Sequence, residues 1–315
     1  MNKIDHLIIS STIDYSTDLV CYEFEQRREK YLRINRDDFL NYNILYDVST
    51  CGLTISIGDS KYFIDSSLKS VFFRAPVFIR SNKNYSVDEQ LYRSQWSSFI
   101  RNLIVFEKSR WVNNPVDTYK AENKLYQLHT AKKIGLEIPK SYIGNCILDF
   151  VSDRNNYIVK SLDTALFYEG NQEMFAYSNV VSGTELKQSS IQYAPIILQE
   201  YIQNKVDIRV TVIGNKVFPV TIKNNNSGIE GDWRKIDKDS LSYTPINLPN
   251  VIVEKILLLM KELKLNFGGI DLMLSDNKYY FVEVNPTGEW GWLVRTAKLP
   301  LQKEIVNFLT GGQYA

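Results

Sequence analysis

The stretch FVEVNPTGEWGWL, Phe281 to Leu293, decides how the chain is read. A glutamate and an asparagine stand two apart at the end of an apolar run, which Pro286 and Gly288 then break. Alternate residues of a strand share a face. Tyr279, Phe281, Glu283 and Asn285 are therefore expected on one face, with Tyr280, Val282 and Val284 on the other. The preceding run GGIDLML splits likewise, Ile270, Leu272 and Leu274 against Asp271 and Met273. A three-residue loop, Asp276-Asn277-Lys278, pairs Ser275 with Tyr279, Leu272 with Val282 and Ile270 with Val284. That gathers one apolar face, whereas a two-residue loop would mix the faces. The register sets Asp271 opposite Glu283, with Asn285 one step along. Like charges facing each other destabilise a sheet. A hard divalent cation offsets this cost, and Mg²⁺ takes one or two carboxylates together with substrate phosphates. The plainer alternative is two acids flanking solvent, and Phe281 and Met273 on the same face argue against it.

If a metal brings phosphates, cations should follow. Lys160 closes the apolar strand NYIVK and can point into a cleft; an edge-protecting lysine would look the same. Lys124 lies in the helix AENKLYQLHTAKK, where by itself it reads equally as a solvated face. In ILQEYIQNKVDIRV, the bend at Gln199-Glu200-Tyr201-Ile202 offers backbone groups to an adenine edge. Asp207 can accept from a ribose, and Arg209 follows on the same strand face with a donor fork suited to phosphate. Arg234, in GDWRK, is either a second anion clamp or a surface turn over Trp233.

The rest of the chain reads as α/β. HLIIS, a helix and a strand ending at Asn35 form a βαβ opening, followed by the strands NILYDVS, LTISIG, KYFID and SVFFRAP. A helical pattern runs from Val87 to about Lys108. Asn113-Asn114-Pro115 marks a boundary, with Asp117 or Thr118 capping a helix from Tyr119 to Ile134 that stops at Gly135. The lobes expected are 1–112, 113–190 and 191–315.

Composition narrows the chemistry. The 315 residues are 44% hydrophobic and 23% charged with a net charge of +1, so no global field favours nucleic acid or an anionic membrane. Three scattered cysteines fit no zinc or disulfide spacing and imply a reducing, cytoplasmic setting. Two histidines, His6 and His129, leave little room for a His-based metal site or a Ser-His-Asp triad. The N-terminal apolar run is short for a signal peptide, and no run reaches the roughly 18 residues of a membrane span.

The order Lys124, Lys160, the QEYI bend, Asp207-x-Arg209, Asp271 and Glu283-x-Asn285 resembles the ATP-grasp superfamily of carboxylate–amine and carboxylate–thiol ligases, from Asn113 to Val294. The resemblance implies two α+β lobes gripping ATP behind an N-terminal pre-ATP-grasp lobe. It implies Lys124 and Lys160 on phosphates, Gln199 to Ile202 on adenine, Asp207 on ribose, and Asp271, Glu283 and Asn285 on Mg²⁺. The segments SVFFRAPVFIR, VNNPVDTYKAENKLYQLHTAKKIGLEIPKSYIGN, GDWRK and NPTGEWGWL look like the peptide maturases that make graspetides, the grasp-with-spasm group in particular. Such enzymes phosphorylate Asp or Glu side chains of a ribosomal precursor peptide, and a Ser, Thr or Lys side chain then closes an ω-ester or ω-amide ring. Arg209 and Arg234 are the candidates for clamping phosphate and acyl phosphate. Trp290 and Trp292 either wall the acceptor pocket or anchor the core. Gly288 and Gly291 allow close backbone approach. Arg74 and Arg80 read as precursor-peptide contacts or as a solvated edge, and the tyrosine-rich strands could pair with a peptide. Dimers are common in the resembling family, so a homodimer is possible, but no stretch marks an interface. The chain departs from many members in one place: KSLDTALFYEGNQEMF holds only Gly170 where a glycine-rich phosphate loop is usual. Two other readings share this machinery, a ligase of small acids with amines and a nucleotide-binding protein without activity.

Overall fold

The structure, a computed structural model, describes residues 1–74, 85–146, 148–163, 166–169, 172–175, 178–225 and 227–312. Gly170 and Arg80 lie outside them. The chain opens with β1 (Asn2–Lys3), β2 (His6–Ser10), α1 (Tyr15–Gln26) and β3 (Tyr31–Asn35). Asp14 caps α1 by accepting from Thr17 N–H. The strands β4 (Tyr42–Asp47), β5 (Gly52–Ile57), β6 (Ser60–Ile64) and β7 (Ser70–Phe73) follow, then α2 (Val87–Asn102) and β8 (Arg110–Val112). Two sheets result. The parallel one runs β3-β2-β7-β8 and the mixed one β1-β6-β5-β4. The unbroken apolar run Leu7-Ile8-Ile9 suits a strand buried on both faces, and all three are fully buried.

The expected break at Asn113-Asn114-Pro115 lies between β8 and the next helix, with a different cap from those expected. Asn114 is the cap, accepting from Val116 N–H, and Pro115 begins α3 (Pro115–Glu122). The helix expected from Tyr119 to Ile134 is broken at the extended residue Asn123, so α4 (Lys124–Lys133) starts at Lys124 and ends before Gly135, at φ +84°. Next come β9 (Ser141–Gly144), β10 (Asn156–Lys160), β11 (Leu166–Glu169), β12 (Gln172–Phe175), β13 (Asn179–Ser182), α5 (Gly183–Gln188) and β14 (Ile196–Glu200). Four of these strands form the antiparallel sheet β13-β10-β14-β9, and β11 and β12 pair separately.

The last sheet is built from β15 (Val206–Ile213), β16 (Lys216–Asn224), β17 (Leu241–Pro245), β18 (Phe267–Ser275) and β19 (Lys278–Asn285), in the order β17-β16-β15-β18-β19. Its core face, with Ile208, Val210, Ile270, Leu272, Phe281 and Val284, packs under α4 and α6 (Asn250–Glu262). The helices α7 (Gly291–Thr296) and α8 (Leu301–Thr310) join α1 in a second core around Trp290 and Phe267. No helix among the described residues is long and apolar enough to cross a membrane.

The β18–β19 hairpin arrives at the expected acid pair by another route. Its turn has two residues, Asp276 and Asn277, both at positive φ, which suits a tight hairpin turn. Ser275 pairs with Lys278 and Leu272 with Phe281. A bulge between Asp271 and Leu272 then shifts the register, so Asp271 faces Glu283, Ile270 faces Val284 and Gly269 faces Asn285. The predicted Leu272–Val282 pair does not form, because Val282 is the extra residue. Phe281 is therefore on the core face with Leu272, not beside Glu283.

Asn113 locks this hairpin to the preceding lobe. Its amide donates to the carbonyls of Phe267 and Pro286 and accepts from the N–H groups of Asn266 and Phe267, at 2.8–2.9 Å. Asn113→Ala leaves these buried groups without partners and is expected to cost about 3 kcal/mol of unfolding free energy. Urea denaturation measures it; a loss under about 0.5 kcal/mol would contradict a locking role.

Candidate functional site

The cleft face of the last sheet carries charge in rows. Arg209 is register-paired with Asp271 and Asp271 with Glu283, so three charged side chains line up across three strands. Arg209 Nη1 donates to Asp271 Oδ1 at 2.8 Å. Arg234 Nη2 donates to Asp271 Oδ2 at 2.8 Å and to Glu283 Oε1 at 3.0 Å. Lys124 Nζ donates to Glu283 Oε2 at 2.6 Å. Every oxygen of the two facing carboxylates thus meets a cation, which removes their mutual repulsion.

Local structure explains why these cations converge. The break at Asn123 places Lys124 at the start of α4, and Gln127 in the next turn fixes that helix to β19. Gln127 donates to Val284 C=O at 2.8 Å and accepts from Val284 N–H at 3.0 Å, completing the hydrogen bonding of an edge strand. Arg234 sits in a short turn, Trp233–Lys235, whose first N–H groups are capped by the Asp232 carboxylate. The Arg209 guanidinium lies between glycine backbones. A Cβ at Gly269 would overlap it, and one at Gly288 would stand 2.6 Å from Nη2.

Burial pushes the Glu283 carboxyl up, but Lys124, Arg234 and Lys160 outweigh it and hold it far below the usual carboxylate range. Burial alone would lower Arg234, yet Asp271, Glu283 and Asp232 raise it. Burial depresses Lys160, with Glu283 and Asp271 opposing and Lys124 and Arg234 reinforcing the fall. Burial also lifts Asp207 to about 6, against the pull of Lys205 and with the help of Asp271 and Asp232.

These residues suit a hard divalent cation. One guanidinium nitrogen touches both carboxylates, so their oxygens already converge on a single positive point. The Asn285 amide makes no side-chain hydrogen bond among the described residues and lies across from Gly269, on the same side. Among the described residues no three His, Cys, Asp or Glu side chains cluster in a way that could hold a metal ion.

Beside the charges opens a cleft between the two antiparallel sheets. Lys160, Arg234 and Asp271 stand at one side of it, and Ile158, Met273 and Val282 supply apolar wall. The four bend residues behave differently from one another. Gln199 and Glu200 are inside β14, paired to Ile158 and Tyr157, and Glu200 N–H already donates to Lys140 C=O at 2.8 Å. Gln199 is buried and donates to Ser141 Oγ at 2.9 Å. Tyr201 and Ile202 lie past the strand end, and all four residues line the cleft. Asp207 lines the cleft, buried, with its Oδ2 accepting from Lys205 Nζ at 2.5 Å.

Other expectations are corrected. Arg74 is buried and fully engaged with Asp14, Glu289 and the carbonyls of Thr287 and Gly288, so it is neither a peptide contact nor a solvated edge. Trp290 is fully buried in the core. Trp292 is half-buried, tilted against Trp233 and Tyr243, with ring centroids 5.9 and 4.9 Å away. Sequence reading missed Lys205, although its spacing two before Asp207 is the signal for a same-face pair on a strand. It also missed Asp232, whose position two before Arg234 marks a capped turn.

Residues 174–309 match the RimK-like ATP-grasp domain. A probable alpha-L-glutamate ligase of Saccharophagus degradans is 26% identical over 181 residues, 55% of this chain; the match spans 58% of that relative's length. Two solved structures match nearly throughout. The macrocyclase MdnC of Microcystis aeruginosa, bound with precursor peptide MdnA, has a TM-score of 0.83 and 24% identity, over 97% of this chain and 99% of its own. The RiPP-associated ATP-grasp ligase of Chryseobacterium gregarium, in complex with ADP and a leader and core peptide, has a TM-score of 0.83 and 26% identity, over 99% and 97%.

The Asp207 carboxyl carries a pH signature. Its folded value, about 6, exceeds the ordinary 3.8, so its stabilising contribution is complete below 3.8 and lost as pH rises through 6. Stability of the wild type should fall between pH 4 and 6 relative to Asp207→Asn, by on the order of 2–3 kcal/mol, and the difference should level off above pH 7. Urea denaturation across that range measures it; parallel curves would contradict the assignment.

Proposed function

We propose that this chain, an ATP-grasp fold with a RimK-like domain over residues 174–309, is an ATP-dependent ligase that matures a ribosomally made precursor peptide. The reading is that it phosphorylates Asp or Glu side chains of the peptide, after which Ser, Thr or Lys side chains of the same peptide close ester or amide rings. The observation that carries it is the Arg234-bridged pair Asp271–Glu283 beside the cleft, with Lys124, Lys160 and Arg209 around it. The 26%-identical RiPP-associated ligase, similar over 99% of this chain, supports a peptide as the acceptor.

In this reading Asp271, Glu283 and Asn285 would hold Mg²⁺, which would supply positive charge to neutralise the nucleotide phosphates. The remaining work is positioning and electrostatics. Tyr201 and Ile202 present backbone to the adenine edge, with Ile158, Met273 and Val282 as apolar walls. Asp207 faces the ribose through its pair with Lys205. Lys160 and Lys124 neutralise the phosphates. The substrate carboxylate attacks the γ-phosphorus and ADP leaves. A hydroxyl or amine then attacks the acyl carbon, phosphate leaves with the bonding pair, and the nucleophile gives up its proton. Arg209 and Arg234 hold the anionic acyl phosphate. Arg234 now donates to both carboxylates, and with one of them released its fork would be available to that phosphate.

A ligase of small acids and amines is the second reading, favoured by the resemblance to a probable glutamate ligase. The deciding experiment gives the purified chain ATP, Mg²⁺ and the short peptide encoded beside its gene, and follows intact peptide mass together with ADP. The expected result is stepwise loss of water with one ADP per ring, reduced at least about 100-fold by Glu283→Gln. ADP formed with glutamate as acceptor and no change in the peptide would favour the small-molecule ligase. Nucleotide binding without ADP would make it a non-catalytic binding protein.

A further inference from the structure

Arg74 stands at the end of β7, in the first lobe, with its side chain only 4% exposed. Its contacts are spent on the segment that follows the acid-bearing strand. Nη1 donates to Thr287 C=O at 2.7 Å and to Gly288 C=O at 3.1 Å. Nη2 donates to Glu289 Oε1 at 2.5 Å, and Nε to Asp14 Oδ2 at 3.2 Å. Asp14 is held in turn by Ser10 and by Thr17, at 3.0–3.1 Å. Glu289 Oε2 accepts from Ser16 Oγ at 2.7 Å, and Ser16 Oγ accepts from Gly291 N–H at 3.0 Å. The 287–291 segment is thus bracketed from α1 and β7 at four of its five residues.

The other side of this segment bounds the Arg209 slot, since a Cβ on Gly288 would stand 2.6 Å from Arg209 Nη2. Gly269 walls the opposite side of that slot, and hydrogen bonding among the described residues adds little at the far end. Arg209 Nε is buried without a hydrogen-bond partner among the described residues, and the side chain's one hydrogen-bond anchor there is Asp271, through Nη1. We infer that Arg74 is a positioning residue for Arg209: it holds the Thr287–Gly288 turn against the guanidinium, and so ties the first lobe to the Arg209–Asp271 pair. Only the kinetic consequence rests on the ligase reading; the chain of contacts does not.

The test labels the arginines of the full chain with ¹⁵N and follows the Arg209 Nε–H resonance, identified by its loss in Arg209→Lys. Three variants are compared. Arg74→Lys keeps the charge and loses the fork. Gly288→Ala crowds the slot directly. Arg110→Lys disturbs a different bridge between lobes, Arg110 to Phe308 C=O at 2.7 Å, and serves as control. The expected result is that the Arg209 resonance moves in Arg74→Lys and in Gly288→Ala and stays in place in Arg110→Lys. With ATP and peptide, kcat in Arg74→Lys should fall about 10–100-fold while KM for ATP changes less than about 3-fold. The double variant Arg74→Lys/Gly288→Ala should be no worse than its worse parent, because both act through one slot. An unmoved resonance in Arg74→Lys, an equal movement in Arg110→Lys, or losses that multiply in the double variant would each overturn the inference. If the wild type forms no ADP, the ligase reading falls and the resonance still decides the positioning.

Discussion

The bulge at Val282 is the constraint on which the site depends. A two-residue turn pairs Ser275 with Lys278, and carried on unbroken it would set Glu283 opposite Ile270, on the core face. One inserted residue turns Glu283 back to the cleft while leaving Phe281, Val284, Leu272 and Ile270 in the core. Both demands are strong, because a carboxylate buried among aliphatic side chains costs several kcal/mol. The bulge satisfies them together and delivers Val282 to the cleft wall as well.

Once Asp271 and Glu283 face each other, charge dictates the surroundings. Lys124, Arg209 and Arg234 come from three separate parts of the chain, and each is delivered by a local device. The helix break at Asn123 places the first, the glycine-walled slot the second and the Asp232-capped turn the third. Pairs this buried gain little net stability, since desolvation offsets their attraction. What they provide is a preorganised field at a place where charge is to be exchanged. Arg234 is the least buried of the arginines there, at 33% exposure against 6% for Arg209, which suits a group that yields to an incoming cation.

Much of this was legible in sequence, and the exceptions have physical causes. The Asp271–Glu283 pair could be read because Ile270 and Val284 must share a face, and that condition fixes the register near the acids whatever happens at the turn. The route was not legible. No residue type announces a bulge, so a longer loop served the same arithmetic and misplaced Phe281. Lys124 was found by its order in the chain, whereas its place at a helix start depends on the break at Asn123. Arg74 was misread because its partners, Asp14 and the 287–289 segment, are 60 and more residues away, and long-range closure leaves no local pattern. Asp207 was read as a ligand group and lines the cleft, while its pair with Lys205, the residue just before β15, was not read.

In the proposed function the facing carboxylates are a cation site shaped to receive nucleotide phosphates. Crystals of the chain with ADP and Mn²⁺, examined by anomalous diffraction at the manganese edge, would reveal that site. An anomalous peak is expected between Asp271 and Glu283, with Asn285 in its coordination sphere, the ADP phosphates on its open side and the Arg234 guanidinium turned away from at least one carboxylate. A manganese peak elsewhere, with Arg234 still bridging both acids beside bound ADP, would contradict it.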